Sequence, residues 1–348
     1  MKSALLQSNN SRIGVLICGH GSRHDSAIKE FAFLVSKIKL NLPGIPVEYG
    51  YLEFAKPVLT EALDKLLNQS VERVIAIPAM LFAAGHAKND IPALLKKYSE
   101  KTGLKIDYGR ELGINSLMIG AAGARIKEAS DLNPGLAVDQ TLLVVVGRGS
   151  SDPDANSNVS KITRMLVEGL GLGWGETVFS GVTFPLVEPG LRHLIRLGYK
   201  RIIVFPYFLF SGVLVNRILK YTKKVADDNP EIQFINASYL SSHNLVVETF
   251  IERLEEVLIG NNLMNCSLCK YRSDLLGFES EVGTVQESHH HHVEGLNSYC
   301  EICGTRSGCK CDKALDDHTE GAGLMPGHSH HPPYPNAEHP LGPVTLRY

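Results

Sequence analysis

Two histidines and a late cluster of cysteines are the residues whose types and spacing suit chemistry. His20 stands in Gly19-His20-Gly21-Ser22, and His86 in Ala84-Gly85-His86-Ala87. Neutral imidazole ligates borderline divalent metals, and its titration near neutrality makes it a proton acceptor. Glu53, in Tyr51-Leu52-Glu53-Phe54, is a third candidate. It could take a proton, join a metal site, or do no more than favour the N-terminus of a following helix. Of seven cysteines, Cys18 stands alone in an apolar run and the other six lie between Cys266 and Cys311. Such clustering in a reducing compartment reads as metal binding rather than disulfides. Cys266-x-x-Cys269 and Cys300-x-x-Cys303 form two pairs that suit tetrahedral zinc or an iron–sulfur cluster. The gap of about 30 residues between them exceeds the roughly 15–20 of a zinc ribbon, and Cys309 and Cys311 could replace the second pair.

The elements that must position the histidines follow from apolar patterning. IGVLIC (13–18), VEYGYL (47–52), VIAIP (74–78) and LKIDY (104–108) read as strands. Helical stretches follow near 25–40, 57–68, 88–100 and 114–130. Continuous apolar runs suit strands covered on both faces, so the pattern predicts a doubly wound parallel sheet. Loops at the carboxyl ends of such strands line the binding crevice. In a 2-1-3-4 order, strands one and three are neighbours about 4.8 Å apart. His20 and His86 each follow one of these strands and should meet across one cleft. GHGSRH lacks the spacing and the lysine of a phosphate loop, and GxGxxG is absent.

The pattern then repeats. LLVVVG (142–147), TVFSGV (177–182), RIIVFP (201–206) and QFINA (233–237) read as strands, with helices near 155–170, 187–197, 213–227 and 243–259. GHGS at 19–22 matches GRGS at 147–150, an offset of 147 − 19 = 128, and Pro78-Ala-Met-Leu-Phe matches Pro206-Tyr-Phe-Leu-Phe at the same offset. FAKPVL (54–59) resembles LVEPGL (186–191) with a few residues of slippage. On this reading His20 corresponds to Arg148, His86 falls near Val213 and Glu53 near Pro185. One catalytic set is expected, not two. The expected architecture is α/β: two similar lobes, 1–132 and 133–262, then an irregular Cys/His-rich tail, 263–348. The tail carries His289 to His292, His318, His328, His330, His331 and His339, a composition that binds divalent metal and could act as a cobalt reservoir.

The composition is that of an ordinary globular chain: 348 residues, 44% hydrophobic and 21% charged, with a formal net charge of −2. That balance gives no field to hold nucleic acid or an anionic membrane. MKSALLQSNNSR lacks the apolar stretch of a signal peptide, and no apolar run reaches the roughly 18 residues of a membrane span. The expected location is the cytoplasm.

GHGSRHDSA, YLEFAKPVL and PAMLFAAGHAKNDIP resemble sirohydrochlorin chelatases of the CbiX type, within the class II tetrapyrrole chelatases, over about residues 12–260. The C-terminal Met264-Asn265-Cys266-Ser267-Leu268-Cys269 is similar to the MxCxxC of the long form. The resemblance implies a chelatase fold of two α/β lobes, catalytic histidines at His20 and His86, and an iron–sulfur cluster on the MxCxxC cysteines. With it, Cys266, Cys269, Cys300 and Cys303 become the expected ligands. It implies ATP-independent insertion of Co²⁺, as substrate metal, into sirohydrochlorin for cobalamin synthesis. Iron insertion for siroheme, or non-enzymatic delivery of cobalt or nickel, are the alternatives. Metal insertion releases two pyrrole protons, which histidine is suited to accept. The partners implied are a carboxylate-rich tetrapyrrole and a divalent metal, with Arg23, Lys56, Lys88 and Arg148 as candidate carboxylate anchors.

Overall fold

The computed structural model describes residues 12–265, 268–274, 277 and 279–284. Two parallel four-stranded sheets form its frame. The first comprises β1 (Ile13–Gly19), β2 (Val47–Tyr51), β3 (Arg73–Pro78) and β4 (Lys105–Tyr108), in the order β2-β1-β3-β4. The second comprises β5 (Thr141–Gly147), β6 (Trp174–Phe179), β7 (Arg201–Pro206) and β8 (Gln233–Asn236), in the order β6-β5-β7-β8. The helices are α1 (Asp25–Leu40), α2 (Leu59–Asn68), α3 (Ile91–Thr102), α4 (Ser116–Asp131), α5 (Pro153–Leu170), α6 (Val187–Leu194), α7 (Val213–Asp227) and α8 (Asn244–Ile259). This is the α/β architecture and strand order expected from the sequence. β6 starts earlier than TVFSGV suggested and ends at Phe179, because Ser180-Gly181-Val182 turns away with Val182 at φ 69°.

All seven residues of β1 and of β5 are buried, as strands covered on both faces must be. Side chains alternate between two cores. Val15 and Ile17 face the interior between the lobes, whereas Leu16 and Cys18 face α2 and α3. Leu143 and Val145 join the shared interior, and Leu142, Val144 and Val146 face α6 and α7. Cys18 is sealed, and burial pushes its thiol far above the ordinary range, so it is a core residue and not a ligand.

The lobes are interlocked. α4 closes the first half in sequence yet packs on β7, β8 and α5 of the second, while α8 packs on β3 and α1 of the first. Met118, Ala121 and Ala122 of α4 therefore share one core with Val246, Phe250 and Leu254 of α8. Polar clamps reinforce this seam. Arg110 pairs with Glu256 through two bonds of 2.9 and 2.8 Å. Arg253, fully buried, donates to the carbonyls of Glu111 (3.0 Å) and Leu112 (2.9 Å) and pairs with Glu256. Removing that guanidinium strands two buried carbonyls. Arg253→Met is expected to cost about 3 kcal/mol of stability, read as a lowered denaturant midpoint with the slope retained.

Candidate metal and tetrapyrrole site

β1 lies between β2 and β3 in the first sheet, so the loops that leave these three strands are neighbours. The β1 loop crosses directly over the β2 loop. Glu53 donates its backbone N–H to the His20 carbonyl (3.0 Å), and Gly21 sits at φ 103°, where a Cβ would fall 1.7 Å from the Glu53 carbonyl oxygen. Only glycine permits that crossing, in both conformation and space. The crossing presents the Glu53 carboxylate to the His20 ring.

His86 comes from the β3 loop. It opens a π-helical turn, His86–Asp90, that leads into α3. An extra residue in one turn re-aims the side chains along it, and such turns concentrate at functional sites. His20 Nε2 lies 3.1 Å from His86 Nε2 and 3.1 Å from Glu53 Oε1, and the two rings meet nearly edge to face at 4.6 Å. The Nδ1 atoms face away: that of His20 toward the Gly21 carbonyl (3.1 Å), that of His86 toward Asp90 Oδ2 (2.6 Å). With both Nδ1 hydrogens directed at these acceptors, two Nε2 lone pairs and the Glu53 carboxylate converge on one spot. One ligand atom from each of the three lies within 4.8 Å of the others. Such a donor set attracts a divalent cation of the first transition row. Glu53 is 2% exposed and Asp90 4% exposed, so both carboxylates act in a low-dielectric setting. Their contacts hold the two rings, which are partly exposed.

His20 also lines a cavity of about 580 Å³ between the lobes, within the range of organic ligand sites. Its walls are mainly apolar, with Leu81, Phe82 and Phe54 from the first lobe and Phe208, Leu209 and Phe210 from the second. Arg23 and Arg148, both exposed, also line it, Arg23 with its guanidinium 5.3 Å from the Phe54 ring centre. Phe54 itself, at φ 63°, is strained backbone beside the site.

Two expected anchors lie elsewhere. Lys88 has a buried side chain that bridges the lobes, with Nζ 2.7 Å from Asp152 and 3.3 Å from Asp154. Burial would lower its pKa, but the two aspartates outweigh that and hold it above the ordinary lysine value. Lys56 is exposed and lies outside the cavity lining. The repeat alignment is corrected. β1, β3 and β4 correspond to β5, β7 and β8 at the constant offset of 128. The positive-φ residues Phe54 and Val182, and the cis bonds before Pro57 and Pro185, keep the same offset. FAKPVL therefore aligns without slippage on VTFPLV (182–187). Glu53 corresponds to Gly181 and His86 to Leu214, while His20 corresponds to Arg148.

Of the tail cysteines, Cys269 lies within the described residues; Cys266, Cys300, Cys303 and the histidine-rich stretches lie outside them. Cys269 and Lys270 are buried, Lys270 pairs with Glu281 (2.8 Å), and the Tyr271 hydroxyl lies over Gly85, beside His86. Burial, reinforced by Glu281, pushes Tyr271 up to about 12. Asp90 is a site residue that the sequence reading missed. Its signal was there, a carboxylate four positions after His86, the spacing that places two side chains on one helical face.

Two interlocked α/β lobes around one cavity, with a histidine–carboxylate set beside it, define a bilobal chelatase-type architecture. The profile of the CbiX family matches residues 14–129 and again 142–257. A sirohydrochlorin cobaltochelatase of Priestia megaterium is 37% identical over 265 residues, 75% of this chain and 85% of that protein. A sirohydrochlorin ferrochelatase of the same organism is 28% identical over 249 residues, 70% of this chain and 90% of that protein. SirB from Bacillus subtilis, solved with Fe³⁺, superposes with a TM-score of 0.62 at 27% identity over 71% of this chain and 96% of its own. Its cobalt complex, from subspecies spizizenii, gives 0.60 at 25% identity over 72% and 96%. The chain belongs to the CbiX family.

The Asp90 contact yields a prediction. A carboxylate behind a ligating imidazole fixes its tautomer, and losing it costs about 10–100-fold in metal affinity. Asp90→Asn is expected to weaken Co²⁺ binding within that range while leaving the fold intact, as read by competition titration against a chromophoric chelator.

Proposed function

We propose that this protein is a sirohydrochlorin chelatase that inserts Co²⁺ into the macrocycle in cobalamin synthesis, without ATP. The observation that carries this reading is the convergence of His20 Nε2, His86 Nε2 and Glu53 Oε1 beside an interlobe cavity that His20 lines. Cobalt is favoured over iron because the cobaltochelatase relative is the more similar, 37% against 28%. The iron reading keeps one supporting observation, that ferrochelatases are among the similar proteins.

The net reaction joins M²⁺ to the free-base macrocycle and releases two protons. Two N–H bonds break, their electron pairs remain on nitrogen, and four metal–nitrogen bonds form. The residues on the page divide this work. The two imidazoles and the Glu53 carboxylate hold the cation at the ring's face. A neutral imidazole nitrogen relieved of the metal has a basic lone pair and can take a pyrrole proton. Asp90 and the Gly21 carbonyl keep both Nε2 atoms available for this. The apolar walls exclude water and strengthen every charge interaction inside. Arg23 in the cavity lining is placed to meet a peripheral carboxylate.

Two finer points belong to the same proposal. The protein works in the cytoplasm, in keeping with the fact that no described helix is long and apolar enough to cross a membrane. The tail cysteines Cys266 and Cys269, with Cys300 and Cys303, supply soft thiolates for an iron–sulfur cluster; their CxxC spacing supports this. The His-rich stretch would hold further cobalt.

The test is direct. Purified protein is incubated with sirohydrochlorin and Co²⁺, Fe²⁺ or Ni²⁺, and the visible spectrum is followed. Cobalt is expected to be inserted fastest. His20→Ala and His86→Ala are each expected to lower kcat by about a hundredfold or more, with thermal midpoints retained. Wild-type turnover in both variants would refute the assignment.

A further inference from the structure

Arg148 occupies, in the second lobe, the position that His20 occupies in the first, and the local backbone is the same. Gly149 sits at φ 84°, and a Cβ there would fall 1.9 Å from the Gly181 carbonyl, just as Gly21 is blocked by the carbonyl of Glu53. Two similar crossings send the side chains at 20 and 148 out of equivalent loops, and both line the shared cavity. Part of that lining is also reciprocal. Ala27, Phe31, Leu81 and Phe82 have counterparts 128 positions on at Ala155, Val159, Leu209 and Phe210. The mutual exchange of α4 and α8 relates the two lobes in the same reciprocal way. A macrocycle bound in this cavity would meet position 20 on the side of the first lobe and position 148 on the side of the second.

Chemistry has diverged where geometry has not. The metal-facing set His20, Glu53 and His86 becomes Arg148, Gly181 and Leu214, so no ligand set is repeated and a permanent cation takes its place. A guanidinium stays charged at any working pH, accepts no proton and repels M²⁺. It thereby confines the metal to the His20 face.

On the chelatase reading given above, we propose that Arg148 is a catalytic residue that stands against the macrocycle face opposite His20 and stabilises the ring as its protons leave. Each departing proton leaves its electron pair, and so negative charge, on a ring nitrogen. The protons leave toward His20, His86 and Glu53 and pass to water; the metal enters from that side. A fixed positive charge on the other face favours the deprotonated ring over the free base. This differs from anchoring a peripheral carboxylate. An anchor uses the planar two-pronged fork of arginine, whereas stabilisation of diffuse ring charge needs only a cation.

That difference sets the experiment. Initial rates of Co²⁺ insertion into sirohydrochlorin are measured for the full-length wild type, Arg148→Gln and Arg148→Lys, with thermal midpoints as a check on folding. Arg148→Gln is expected to lower kcat about tenfold or more, with KM for the macrocycle within about twofold, and Arg148→Lys to recover most of the loss. A raised KM at unchanged kcat, or a lysine variant no better than glutamine, would assign Arg148 to carboxylate recognition and overturn the inference. Unchanged kinetics in both variants would overturn it as well. An inactive wild type would instead overturn the chelatase reading on which the inference rests.

Discussion

The site depends on one backbone constraint: the loop after β1 must pass over the loop after β2 at a point with no room for a side chain. Gly21 meets the Glu53 carbonyl there, and the Glu53 N–H bonds back to the His20 carbonyl. Because β1 sits between β2 and β3, this one crossing brings a histidine from the first strand to a carboxylate from the second and within reach of a histidine from the third. The three groups come from residues 20, 53 and 86, yet their positions are set by rigid strand ends. Precision of that kind is what metal ligation and proton transfer at one locus require.

Duplication with loss explains the asymmetry around the cavity. Both lobes keep the glycine crossing, the positive φ after it, the cis proline and the apolar Leu-Phe wall, since each is needed to build the loops. The three metal-facing side chains are needed in one lobe alone. The lobes cannot be treated as separable parts, because α4 and α8 each rest on the sheet of the other half. Arg110 and Arg253 fix the seam at α8, and the Lys88 pairs with Asp152 and Asp154 fix it beside the His86 turn. Lys88 is two residues from His86, so the ion pair ties the π-helical turn to the first turn of α5.

Much of this was legible in the sequence, for identifiable reasons. Apolar runs such as IGVLIC and LLVVVG mark strands covered on both faces, and parallel connectivity then makes the ends of β1 and β3 neighbours. That reasoning alone predicted the meeting of His20 and His86. The limits have physical causes too. Where Glu53 corresponds to Gly181, side-chain identity is lost, and the true alignment there rests on the shared proline, Pro57 and Pro185, and on Val182 at φ 69°. Helix exchange leaves no trace in local pattern, because the apolar face of α8 reads the same whichever sheet it covers. Lys88 reads as a surface charge until its distant aspartates are placed beside it. Asp90 could have been found from its spacing to His86.

The central claim is that one divalent ion is held by two imidazoles and one carboxylate beside the interlobe cavity. Crystals of the full-length protein loaded with one equivalent of Co²⁺, measured at the cobalt absorption edge, test it most directly. The account predicts an anomalous peak bridging His20 Nε2, His86 Nε2 and Glu53. A peak at the tail cysteines, or beside Arg148 with that trio bare, would contradict it.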